Sequence, residues 1–249
     1  MLELRSDKLT KSYNRRVVVK EVNIKIRSGE IIGFLGRNGA GKTTTFQMMA
    51  GLIKPDRGSI FLDDKNISLL PSHLRAKAGI TYLPQENSVF LKASVKNNLK
   101  LVLELLPLKR KERKEIAGKL LEELGLQELA KQSAHSLSGG ERRRLEISRS
   151  LILNPKFLLL DEPFTGIDPL TIIELQKIML KLKEKGIGII LSDHNVRDTL
   201  KVADHAFIID KGEILIEGNP REISSNEKAK EIFLGKSFKL GDEVERFYS

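Results

Sequence analysis

Four short apolar runs punctuate the chain, and each ends where the residues turn small, acidic or polar. Glu30-Ile31-Ile32-Gly33-Phe34-Leu35, Ile80-Thr81-Tyr82-Leu83, Phe157-Leu158-Leu159-Leu160 and Ile187-Gly188-Ile189-Ile190-Leu191 read as strands buried on both faces. Between them the period changes. Thr44 to Ala50 opens a helix that Gly51 stops, and Asp168-Pro169 opens another that runs to about Lys185 and ends at Gly186. Buried strands alternating with helices specify an α/β fold.

Other stretches carry different patterns. Residues 2–35 read as short strands, with Val17 to Ile26 alternating in its second half before the turn Arg27-Ser28-Gly29-Glu30, and Tyr13 lies in a polar, basic loop ahead of that strand. Lys54 to Gly58 is a turn, Ser59 to Asp64 a strand, and Ser72 caps a short helix that ends by Gly79. From Ser94 to Lys131 the pattern is helical: Leu99, Val102, Leu103 and Leu106 form one apolar face that breaks at Pro107, and Leu120, Leu121 and Leu124 form another before Gly125. The basic run from Lys109 to Lys119 reads as a solvated helix face, with a lipid-facing role the lesser alternative. A further helix starts at Ser138-Gly139-Gly140, carries Arg142-Arg143-Arg144 as the polar face of its first turns, and ends at Asn154-Pro155. Ala206 to Gly218 reads as a hairpin, and Pro220 onward as a small helical appendix with a polar tail.

Composition narrows the setting. Hydrophobic residues are 40% and charged residues 31% of the 249, enough for a real core under a charged surface. No window approaches the apolar length of a membrane span, and Met1-Leu2-Glu3-Leu4-Arg5 lacks the blocks of a signal peptide. Cysteine is absent, so disulfides and thiolate metal sites are excluded and a cytoplasmic location is expected. A net charge of +10 suits nucleic acid, anionic lipid or nucleotide alike. Aromatics at 5% and no Trp are poor material for stacking bases, which favours a protein working beside a membrane.

The candidate chemistry sits at the ends of the apolar runs. Gly36-Arg37-Asn38-Gly39-Ala40-Gly41-Lys42-Thr43, followed by Thr44, is Gly, four residues, then Gly-Lys-Thr between a strand and a helix. Such a loop turns its N–H groups toward a phosphate, with Lys42 reaching the β- and γ-phosphates and the Thr43 hydroxyl on Mg²⁺. The run at 157–160 ends in Asp161-Glu162, where the Asp holds the water shell of Mg²⁺ and the Glu polarises an attacking water. Gln85 and His194 each follow a strand directly, so each can reach the same sheet edge, although a plain loop Gln and a structural His are the ordinary readings of either alone. Ser138-Gly139-Gly140 is a second anion cradle at a helix start.

In this order, and over nearly the whole length, these motifs resemble the ATP-binding subunits of ABC transporters. Gln85 matches the Q-loop glutamine, Leu137-Ser138-Gly139-Gly140-Glu141 the signature motif, Asp168 the D-loop aspartate, His194 the switch histidine and Tyr13 the adenine-stacking aromatic. Tyr82 to Glu86, Leu137 to Arg144, Asp193 to Leu200 and Phe233-Leu234-Gly235 resemble the ATPases of bacterial lipopolysaccharide exporters, and several of these stretches also resemble those of branched-chain amino acid importers.

The resemblance implies a P-loop NTPase (RecA-like) core with an antiparallel β subdomain over 1–84 and 156–240, and a helical subdomain over 85–155. Residues 241–249 are left as a polar tail. It implies ATP and Mg²⁺ as cofactors, with Tyr13 and Gly36 to Thr44 on ATP, and Thr43, Gln85 and Asp161 on the metal, partly through water. Glu162 would be the general base, His194 the γ-phosphate sensor, and Gln85 the contact to metal and lytic water, with Lys42 on the phosphates. The signature residues would touch the ATP of a second copy in an ATP-dependent homodimer. Two transmembrane permease subunits would dock near Gln85, with Val89, Phe90 and Leu91 as candidate groove residues, or else as core packing. The chain would then lie on the cytoplasmic face of the inner membrane, held there indirectly and with no specific nucleic-acid partner. Two departures stand out: Arg37 where the family usually has Pro or Ser, and Phe233 where Tyr is usual.

Overall fold

A computed structural model describes residues 1–235, Phe238 and Leu240; the polar tail expected at 241–249 lies outside the described residues. In chain order the strands are β1 (Glu3–Tyr13), β2 (Arg16–Val22), β3 (Lys25–Arg27), β4 (Ile31–Leu35), β5 (Arg57–Leu62), β6 (Lys65–Asn66), β7 (Ile80–Leu83), β8 (Phe157–Asp161), β9 (Gly188–Asp193), β10 (His205–Asp210) and β11 (Glu213–Gly218). The helices are α1 (Lys42–Ala50), α2 (Ser72–Lys77), α3 (Val95–Leu103), α4 (Arg110–Glu123), α5 (Gly139–Leu151), α6 (Pro169–Glu184), α7 (Val196–Leu200), α8 (Pro220–Ser225) and α9 (Glu227–Ala229). None of the described helices is long and apolar enough to cross a membrane.

All four apolar runs enter one sheet, in the order β11-β10-β4-β9-β8-β7. From β10 to β7 every neighbouring pair is parallel, and only β11 runs the other way. Because the parallel strands point the same way, the loops after β4, β7, β8 and β9 all emerge at one edge. The second sheet is antiparallel, β2-β1-β5-β6 with β3 also on β1.

Pleating divides each apolar run between two cores. Ile31, Leu158, Leu160, Ile189 and Leu191 face the helices α3 to α6, while Ile32, Phe34, Phe157, Leu159 and Ile190 face α1 and the antiparallel sheet. Both faces are therefore dry, which is why these strands lack polar alternation. At the C-terminus of α1, the buried Arg75 guanidinium donates to the carbonyls of Met48, Met49, Ser68 and Leu70, complementing the negative end of the helix. Burial lowers its pKa to about 10.

The helical insertion follows the expected periodicity. Leu99 and Leu103 are buried, Val102 and Leu106 pack beside them, and Leu120, Leu121 and Leu124 close the same cluster from α4 and its C-cap. Ser94 is the N-cap of α3, its hydroxyl accepting from the Asn97 N–H at 3.2 Å. Ser94→Ala is expected to cost about 1 kcal/mol in chemical denaturation.

Several local expectations are corrected. Tyr13 is the last residue of β1 and not in a loop: Asn14 and Arg15 both take positive φ, 48° and 67°, which closes a two-residue hairpin and pairs Tyr13 with Arg16. The strand expected over Val17 to Ile26 is two, β2 and β3, because Ser6 in β1 bonds both Val22 and Ile24 through its hydroxyl at the break. Helix α1 starts at Lys42, two residues early, since Gly41 at φ 110° turns the loop directly into the helix. β5 begins at Arg57, and Asp63-Asp64 is its turn into β6. Ser72 is the first residue of α2 and caps nothing; Pro71 holds the N-cap position.

Candidate active site

The loop between β4 and α1 surrounds a cavity of about 260 Å³ lined by Val18, Asn38, Gly39, Gly41, Lys42, Thr43, Thr44, Gln85 and Glu162. Gly41 combines positive φ with close packing: a Cβ there would meet the Val18 carbonyl at 2.7 Å. Lys42 is almost fully buried, its ammonium donating to the carbonyls of Gly36 at 2.7 Å and Arg37 at 3.2 Å. Burial lowers its pKa, and the carboxylates of Glu162, Asp161 and Asp193 partly oppose that shift. The cation thus stays fixed at the loop mouth, 3.9 Å from the Glu162 carboxylate.

The acidic strand end divides its two carboxylates. Asp161 is buried and accepts from the Tyr82 hydroxyl at 3.0 Å and from the Ser192 hydroxyl. Glu162 leaves the strand with φ 45°, a left-handed conformation costly for a non-glycine residue. That turn points its carboxylate into the cavity, where it accepts from the Gln85 amide at 2.9 Å and the Thr165 hydroxyl at 3.1 Å. His194 is half exposed, its Nδ1 3.7 Å from Glu162 and 3.6 Å from Asp193. Asp193 is buried, which raises its pKa against the N–H groups of Asn195 and Phe164 that stabilise its charged form. Strand order accounts for the convergence, because β9 lies between β4 and β8, with β7 beyond β8.

Thr43, Gln85 and Glu162 line the cavity, so hydroxyl, amide and carboxylate oxygens are available together, while Asp161, next to Glu162 in the chain, is buried with its oxygens engaged by Tyr82 and Ser192. These are the hard donors that Mg²⁺ takes alongside water and phosphate.

A buried ion pair ties the helix α5 to this edge. Arg143 donates to Glu146 at 2.9 Å, to the Pro84 carbonyl at 3.1 Å and to the Asp161 carbonyl at 3.0 Å. Glu146 in turn accepts from the Ser88 N–H at 2.8 Å. The arginine run is therefore not simply a polar face: Arg143 is 6% exposed, because two neighbouring segments and its own helix supply three acceptors.

A family model described as ABC transporter matches residues 19–165, more than half of the chain. The chain belongs to the ABC transporter family. It is 50% identical to the lipopolysaccharide export system ATP-binding protein LptB of Acidithiobacillus ferridurans, over 95% of this chain and 98% of that protein. Identity to the protein of the same name in Escherichia coli is 47%, over 96% of this chain and all of the relative. A solved ATP-binding cassette of an ABC transporter in its ADP conformation superposes with a TM-score of 0.85 at 28% identity, covering 95% of this chain and all of that one. The fold is thus the α/β fold of ABC ATPase cassettes, and the chemistry is ATP hydrolysis coupled to transport.

Within this ABC cassette, Lys42, Gln85, Glu162 and His194 come together, while other candidate residues stand apart. Of the signature residues, Gly139 lines a second cavity of about 240 Å³ that shares Gln85 and Glu162 with the first, and none of Leu137 to Glu141 lines the one around the phosphate loop. Ser138 caps α5 in a reciprocal pair with Glu141. Asp168 caps α6 through the Thr171 N–H and hydroxyl, and those bonds lower its pKa. Tyr13 is 45% exposed and outside the cavity lining, with the Lys11 ammonium 5.6 Å from its ring. Arg37 turns from the loop to the Ile232 carbonyl, in the π-helical turn Lys230–Leu234, while Phe233 packs on the cluster of Leu35, Val196 and Leu200. Val89 is buried, but Phe90 is 50% exposed beneath the Arg149 guanidinium, 4.8 Å from the ring centroid. The sequence reading missed Tyr82, Ser192, Thr165 and the Arg143–Glu146 pair. Only the last left a trace, as opposite charges three residues apart with Glu146 between Leu145 and Ile147.

Proposed function

We propose that this chain is the ATPase that powers extraction and export of lipopolysaccharide from the inner membrane, as an ATP-dependent homodimer bound to two transmembrane permease subunits. The observation that carries the cargo is near-half identity, over almost the full length of both chains, to relatives named for lipopolysaccharide export. For the permease contact, the support is the exposed Phe90 and Leu91, five and six residues beyond Gln85, with Arg149 of α5 reaching the Ser88 carbonyl and the Phe90 ring. The chain would sit on the cytoplasmic face of that membrane.

In the mechanism, the N–H groups from Gly39 to Thr43 and the Lys42 ammonium receive the β- and γ-phosphates of ATP. Thr43, Asp161 and Gln85 would hold Mg²⁺, partly through water, and the bound ion would neutralise charge on the phosphate oxygens. Glu162 accepts the proton of a water whose oxygen bonds to the γ-phosphorus as the bond to the β–γ bridging oxygen breaks and ADP leaves. Gln85 orients that water and His194 donates to the γ-phosphate. Separation of the signature residues from the loop of their own chain supports their pairing with the ATP of a second copy, so that loss of the γ-phosphate releases the dimer.

Purifying the tagged protein from gently solubilised membranes tests the cargo: two membrane subunits of an envelope lipid exporter are expected to accompany it. Amino acid permease subunits would displace that cargo, and a strongly salt-dependent affinity for RNA or DNA would displace transport altogether. If Tyr13 stacks on adenine, Tyr13→Ala will raise the KM for ATP about tenfold with kcat nearly unchanged.

A further inference from the structure

Six of the ten net positive charges fall within residues 92–119, which hold nine Lys or Arg against three Glu. Among them, Lys100 and Lys109 to Lys111 flank the turn that joins α3 to α4, the tip of this helical pair. On α3, Val95, Asn98, Leu99 and Leu103 are buried, which leaves Lys96, Lys100 and Leu101 outward, and the following turn presents Leu105 at 83% exposure. Next to it α4 begins with the exposed Arg110 and Lys111, behind the exposed Lys109. This is the wrong end of a helix for cations, since an N-terminus carries about half a positive charge of its own. The first-turn acid, Glu112, is engaged by the Lys109 N–H at 2.6 Å, and among the described residues no ion pair involves Lys109, Arg110 or Lys111.

A local electrostatic conflict beside exposed leucines has no folding rationale, and it is what an external anion would relieve. No aromatic residue lies in residues 92–119, so bases would find no stacking platform. Exposed leucines rimmed by lysines match the headgroup layer of an anionic membrane.

We propose that this tip, Leu101 and Leu105 ringed by Lys100 and Lys109 to Lys111, rests directly on anionic phospholipid headgroups, in addition to the contact through the permeases. None of these residues lines the nucleotide cavity, so the inference stands apart from cargo, dimerisation and hydrolysis.

The test is sedimentation of the full-length protein with vesicles of phosphatidylglycerol and phosphatidylethanolamine in about a one-to-three ratio, against phosphatidylcholine alone. The protein is expected to pellet with the anionic vesicles only. Replacing Lys109, Arg110 and Lys111 by Glu will weaken that binding about a hundredfold, while the melting temperature holds or rises because acids suit a helix N-terminus. Leu105→Ser will weaken it about fivefold. Lys8→Glu, Lys177→Glu and Lys228→Glu together change the net charge equally and serve as the control, expected to lose far less. Equal loss in the control would overturn the proposal, leaving only bulk charge. So would equal binding to phosphatidylcholine, displacement by inorganic phosphate but not by chloride at the same ionic strength, or tighter binding of RNA to the same residues.

Discussion

Replacing Glu162 with Gln is expected to leave ATP binding intact while cutting turnover about a hundred- to ten-thousandfold, the usual contribution of a positioned general base. The substitution keeps the shape of the side chain and an oxygen able to accept from Gln85 or Thr165, so the cavity is preserved. What it removes is the capacity to take a proton from water, and the carboxylate 3.9 Å from Lys42. Loss of that partner leaves Lys42 with its two loop carbonyls and no weaker hold on phosphate. The proposed ATP-bound dimer is therefore expected to accumulate. Single-turnover hydrolysis together with size-exclusion chromatography in ATP reads both effects, and ordinary turnover in this variant would remove Glu162 from the role of base.

Glu146→Met is expected to cost about 3–5 kcal/mol, the range for breaking a buried ion pair at one partner. Arg143 and Glu146 are 6% and 3% exposed, so the guanidinium left behind cannot be resolvated without opening the junction of α5 with the sheet. Arg143→Met with Glu146→Met is expected to be less destabilised than the two single changes added together, because neither charge is then stranded. It will not return to the starting value, since the Ser88 N–H and the carbonyls of Pro84 and Asp161 lose their partners. Denaturant titration of the four proteins closes the cycle. Strict additivity would mean that the two groups do not interact. Because Pro84 and Asp161 directly precede Gln85 and Glu162, the double variant is also expected to hydrolyse ATP more slowly.

Much of the site is legible locally. The turn into α1 depends on Gly41 and its neighbours, α5 opens on the reciprocal pair of Ser138 and Glu141, and α6 opens on Asp168-Pro169; each signal spans a few residues. The buried strands are equally plain, because a strand with two dry faces tolerates few polar residues. Local pattern fared worse in the antiparallel sheet. There the break between β2 and β3 depends on a hydroxyl in β1, and the place of Tyr13 on two positive φ angles, of which only the one at Asn14 suits its residue type while Arg15 carries no such signal.

The sequence by itself determined which residue types stand at the ends of the buried strands, and so which chemistry is proposed for them. The tertiary structure decided which of those strand ends become neighbours. β9 enters between β4 and β8, so Asp193 and His194 stand beside both the phosphate loop and Glu162, although all are far apart in the chain. Tyr82 meets Asp161 across 79 residues of sequence, and Arg143 becomes a buried clamp because Glu146, Pro84 and Asp161 surround it. Period and capping report only a residue's immediate surroundings. Strand order and the pairing of buried charges come from long-range burial, whose cost and gain depend on partners that no local pattern names.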